Sequence, residues 1–123
     1  MANILVVENK KEHSELLKKL FIHSGHEVTI VGSSEDGLRS MLADPPDIIF
    51  LDYRKLNCGA EYFLDEFPAD YYDIPLILYS ALEKELINPA ISDFVMQPTV
   101  YLQIPFDIDE LAKLVDLYTD RIR

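Results

Sequence analysis

Five short apolar runs punctuate the chain, and between them apolar positions recur at helical spacing. Ile4–Val7 is too short for a helix and rich in β-branched residues, which marks a buried strand. From Lys11 to Ser24, Leu16, Leu17, Leu20 and Phe21 form one stripe opposite a charged face, so a helix is expected there, with Gly25 as its stop. Glu27–Val31 reads as a second strand. Ser33 or Ser34 then caps a helix to about Ala43, with Glu35 and Asp36 near its positive end. Ile48–Leu51 is a third strand ending on Asp52. A helix carrying Tyr62, Phe63 and Phe67 follows, closed by Pro68. Leu76–Tyr79 is a fourth strand ending on Ser80. The stretch from Leu82 to Pro98 contains Pro89, so a helix there is short or broken. Val100–Gln103 is a fifth strand, running into Ile104 and Pro105. A last helix starts at Asp107 or Asp109, with Leu111, Leu114, Val115, Tyr118 and Ile122 facing inward.

Strands alternating with about five helices predict an α/β fold, a parallel sheet covered on both faces. In 123 residues, without repeats or an interior linker, this is one domain spanning 1–123. Composition narrows the function. A formal net charge of -11 argues against nucleic-acid binding and against docking on anionic membranes, since both need a basic face. The single cysteine, Cys58, excludes an internal disulfide framework and fits a cytoplasmic protein. No signal peptide or membrane span is visible. His13, His23 and His26 lack metal spacing and read as structural or solvated.

In parallel sheets of this kind ligands bind beyond the carboxyl ends of the strands. Those ends carry Glu8 and Asn9, Asp52, and Ser80. If the three strands are neighbours, two carboxylates and an amide oxygen share one rim, a donor set for Mg²⁺. An aspartate in such a place can attack phosphorus, with a nearby hydroxyl donating to the phosphoryl oxygens. The same residues also favour turns, so each alone is equally at home as a strand ending.

The chain resembles the receiver domains of two-component response regulators, the CheY-like family, over essentially its whole length. The likeness rests on I-L-V-V-E-N at the start, P-D-I-I-F-L-D at 46–52, P-L-I-L-Y-S-A at 75–81 and Y-L-Q-I-P-F at 101–106. It implies a doubly wound five-stranded sheet of order 2-1-3-4-5. It also implies Asp52 as phosphoryl acceptor, Ser80 as phosphate-sensing hydroxyl, Tyr101 as switch aromatic, and Glu8, Asn9 and Asp52 as Mg²⁺ ligands. The implied partners are a histidine kinase or phosphotransfer protein, and a downstream protein read by the helix 4, strand 5 and helix 5 face. A homodimer is a further expectation.

The departures from the family pattern are as informative. Asn9 stands where a second acid is usual, so Mg²⁺ binding should be weak or lost. Ile104 stands where a lysine usually contacts the phosphoryl group; losing one preorganised donor costs about 3–4 kcal/mol of transition-state stabilisation where measured. Arg54 or Lys55, shortly after Asp52, could supply the missing positive charge. Two readings therefore stay open. In one, Asp52 accepts a phosphoryl group, and any catalysis is confined to self-phosphorylation and self-dephosphorylation. In the other, the domain is a pseudo-receiver that binds proteins without phosphorylation. A metal-dependent phosphatase on a related sheet would want an aspartate where Arg54 stands.

Overall fold

A computed structural model describes residues 2–54 and 59–119. Five parallel strands form one sheet in the order β2-β1-β3-β4-β5, with β1 Asn3–Val7, β2 Glu27–Val31, β3 Ile48–Asp52, β4 Leu76–Ser80 and β5 Val100–Gln103. The register aligns Val7 with Leu51, and Asp52 with Tyr79, so the first, third and fourth strands end side by side.

Alternation along each strand divides the core into two layers. Leu5, Val7, Ile49, Leu51, Leu76 and Leu78 face one side, covered by α2 (Ser34–Ala43), α3 (Gly59–Glu66) and α4 (Lys84–Ile91). Ile4, Val6, Ile48, Phe50, Ile77 and Tyr79 face the other, covered by α1 (Lys11–His23) and α5 (Ile108–Thr119). The central strand β3 is apolar on both faces because both are covered; Ile48, Ile49 and Phe50 are wholly buried.

Local chemistry sets the helix boundaries. Gly25, at φ 88°, ends α1; its N–H donates to the Ile22 carbonyl and the His26 N–H to the Phe21 carbonyl, the paired bonds of a glycine C-terminal motif. Ser33 caps α2 by accepting from the Asp36 N–H at 3.1 Å. Gly37, inside α2, is required by space. A Cβ there would come within 2.9 Å of Val7 Cγ2 and 3.0 Å of Phe63 Cε2, so α2 lies hard against β1 and α3.

The structure bears on four expectations. Leu16 sits on the outer side of the α1 stripe and is exposed, whereas Leu17 and Phe21 are buried. Tyr62 likewise points outward, and Phe63 alone of that pair fills the core. The helix after β4 is short, as expected, at eight residues, and it passes through Pro89 unbroken. Ile122, Lys55 and Cys58 lie outside the described residues.

Candidate functional site

The carboxyl ends of β1, β3 and β4 bring Glu8, Asp52 and Ser80 to one rim, as the strand order requires. Ile104 joins them from the end of β5, its N–H donating to the Ser80 carbonyl at 2.8 Å; the Ile104–Pro105 bond is cis. Asp52, Ser80, Arg54 and Ile104, with Lys10 and His13, line a cavity of about 320 Å³. On the other side of Asp52, Glu8 and Asn9 line a second cavity of about 270 Å³. Asn9 itself is exposed.

Glu8 is buried, and its carboxylate is surrounded by donors. Oε1 accepts from the Tyr79 hydroxyl at 2.8 Å. Oε2 accepts from Arg54 Nη2 at 2.9 Å and from the Lys10 N–H at 3.0 Å. His13 Nδ1 lies 3.3 Å from Oε1, within ion-pair range when the imidazole is protonated. A buried carboxylate is tolerated only when its lone pairs are satisfied, and here each oxygen has at least one donor.

Arg54 is the centre of the arrangement. While Nη2 holds Glu8, Nε donates to Asp52 Oδ2 at 2.8 Å. One guanidinium thus stands between the two carboxylates and bonds both. A planar guanidinium presents several donors in a fixed fork, so it can join two acids that a lysine ammonium would meet as a point charge. The positive charge after β3 therefore faces Glu8 and Asp52.

The charges at the rim do not balance. Burial first, and the Glu8 carboxylate next, push the Asp52 carboxyl from 3.8 up to about 6, against the pull of Arg54. Tyr79 is also raised, by burial and then by Glu8, so its phenol stays a donor at any physiological pH. A raised acid favours the folded state fully below its unfolded value and loses that contribution as pH rises through its folded value. Ionised Asp52 therefore works against the fold above pH about 6. The expected result for Asp52→Asn is a gain of about 1 kcal/mol at pH 7 and no gain near pH 4, after allowance for screening by water. Urea titrations of both proteins at the two pH values check this. Equal destabilisation at both would show that the Arg54 pair, and not desolvation, dominates.

The remaining pocket residues form a second chain of contacts. Ser80 is buried, and its Oγ accepts from the Leu82 N–H at 3.0 Å. The Tyr101 hydroxyl donates to the Leu82 carbonyl and lies beside the Ser80 hydroxyl. Burial raises the Tyr101 phenol, and the Ser80 hydrogen bond opposes that shift. The structure thus brings together Glu8, Asp52, Arg54, Ser80, Tyr101 and Ile104. The sequence reading missed Tyr79 and His13 as partners of Glu8. Tyr79 carried a usable signal: a hydroxyl inside the apolar run Leu76–Tyr79 must find a partner when buried. His13, on a helix read as solvated there, carried none.

The donor set does not fit a divalent cation. Mg²⁺ wants several oxygens that can turn toward it with little competition. Here Glu8 is bonded by Tyr79, Arg54 and Lys10, Asp52 by Arg54, and Asn9 brings no charge. Among the described residues no three His, Cys, Asp or Glu side chains gather as a metal group.

Neither the family profiles nor the curated proteins contain a match to this chain. Solved structures do match it. The receiver domain of a Francisella response regulator superposes with a TM-score of 0.84 at 22% identity, covering 100% of both chains. The signal receiver domain of a histidine kinase from Syntrophus aciditrophicus gives 0.84 at 20% identity, over 100% of this chain and 93% of that one. The receiver domain of a Pseudomonas aeruginosa sensor histidine kinase, described with magnesium in its active-site cleft, gives 0.80 at 20% identity, over 97% and 98%. At these identities the shared property is the fold: this chain has the architecture of response regulator receiver domains.

Proposed function

We propose that residues 1–123 act as a receiver domain of two-component signalling that works by protein contact without taking up a phosphoryl group, a pseudo-receiver of the cytoplasm. One observation carries this reading: the Arg54 guanidinium bonds both Glu8 and Asp52. That contact occupies Asp52 Oδ2 and draws charge from the carboxylate that would attack phosphorus. The metal ligands are engaged, and Ile104 offers no donor where a lysine would serve. Losing one preorganised donor of this kind lowers a rate by roughly 10²–10³. Output then rests on the α4, β5 and α5 side. Leu86 on α4, Val95 after it, and Ile108 and Leu117 on α5 are all exposed there, which supports a protein partner or a second copy of the chain.

A second reading has its own support. Asp52 and Ser80 line one cavity with room for a phosphoryl group, and Arg54 beside them could steady its charge. Asp52 would then be the acceptor from a histidine kinase or phosphotransfer protein, and Ser80 and Tyr101 its sensors. Acetyl phosphate with Mg²⁺ decides between them. The expected result is no mass gain on the intact protein and no beryllofluoride binding. A gain of one phosphoryl group that disappears in Asp52→Ala would establish the second reading.

A further inference from the structure

We propose that Arg54 is a built-in replacement for the divalent cation, holding the rim in a state that does not respond to Mg²⁺. This deepens the pseudo-receiver reading and rests on it. The argument starts from charge. Glu8 and Asp52 end neighbouring strands, and both face inward with little exposed side-chain area, 0% and 9%. Two carboxylates so placed repel each other. Something positive has to stand between them. In this chain it is covalently attached, two residues after Asp52, and it reaches Glu8 across 46 positions of sequence at 2.9 Å.

Geometry makes the replacement stable. The guanidinium spans the two carboxylates with separate nitrogens, 2.8 Å to one and 2.9 Å to the other. Glu8 is fixed from behind by the Tyr79 hydroxyl and from the side by the Lys10 N–H. Mg²⁺ would have to expel Arg54, and a positive charge a few ångströms away would repel it while bound. Asn9, neutral and exposed, cannot tip the balance.

Removing the arginine should therefore uncover a cation site. Arg54→Ala, followed by calorimetric titration with Mg²⁺, should bind about a hundredfold or more tightly than wild type, and its melting temperature should rise with added Mg²⁺. Wild type should show neither effect, and Arg54→Lys, which keeps the charge, should resemble wild type. The gained binding should disappear in Arg54→Ala/Asp52→Asn. Wild type also provides a measurement needing no variant: Mn²⁺ should leave the amide resonances of Glu8 and Asp52 unbroadened. Broadening there, or Mg²⁺ binding by wild type equal to that of folded Arg54→Ala, overturns the proposal. So does a folded Arg54→Ala that binds no Mg²⁺. The parent reading fails separately. Phosphorylation of wild-type Asp52 that persists in a chelator would defeat the pseudo-receiver while leaving Arg54 as the cation. Phosphorylation that requires Mg²⁺ would defeat both.

Discussion

Phe63→Ala should destabilise the domain by about 3–5 kcal/mol, a large share of what a domain of this size holds. Phe63 is wholly buried on α3, with its ring 5.5 Å from that of Phe67 in an edge-on contact. The ring also fills the space that Gly37 leaves, and this makes the loss informative. In wild type, Gly37→Ala should gain about 1 kcal/mol of helix propensity and lose about 1–3 kcal/mol to overpacking, a net loss. The new methyl would meet Phe63 Cε2 at 3.0 Å and Val7 Cγ2 at 2.9 Å. In the Phe63→Ala background only the Val7 contact remains. Gly37→Ala should then cost less than in wild type, with a coupling of about 1 kcal/mol between the sites. Urea titrations of the four proteins measure it. Additive effects would mean that the helix backbone, and not the ring, sets the spacing of α2 and α3.

Much of the sheet was legible because β1, β3 and β4 are dense apolar runs, each ended by a polar residue. Burial on both faces leaves no alternation to misread, so Ile48–Leu51 and Leu76–Tyr79 declared themselves. Where one side of an element meets water, the signal weakened. Leu16 and Tyr62 belong to apolar stripes by spacing but lie at their outer margins, and spacing does not fix where a stripe ends. Pro89 marks a short or broken helix; α4 is the short one, and Ile87 and Ile91, buried on either side of the proline, hold its turns together.

The rim was legible in its parts and not in its connections. That Glu8, Asp52 and Ser80 could meet follows from strand endings and strand order. That Arg54 joins the first two does not, because a cation in a loop carries no period, and its partner at Glu8 is remote in sequence. Reading Arg54 as a stand-in for the lysine missing at Ile104 leaves out the place it takes. Its charge goes to the carboxylates themselves, since an unpaired buried acid is the costlier defect.

Glu8→Ala tests that balance most directly, with an expected loss of about 2–3 kcal/mol. The upper bound for breaking a buried ion pair is about 3–5 kcal/mol. Arg54 lowers it, because the guanidinium keeps Asp52 at 2.8 Å and its side chain is 37% exposed to water. Relief of the repulsion between the two carboxylates lowers it further. What remains is chiefly the Tyr79 hydroxyl, left buried with its acceptor removed, a defect worth about 1–3 kcal/mol. Two readouts separate this account from a simple cavity. Asp52 should titrate below about 6, since Glu8 is the second cause of its rise after burial and Arg54 stays beside it; carboxyl carbon shifts against pH follow this. Tyr79→Phe should also cost less in the Glu8→Ala background than in wild type, because the hydroxyl it removes has already lost its partner. An Asp52 titration unmoved by Glu8→Ala would mean that burial alone raises it, and the guanidinium would then be an ornament of the rim rather than its counter-ion.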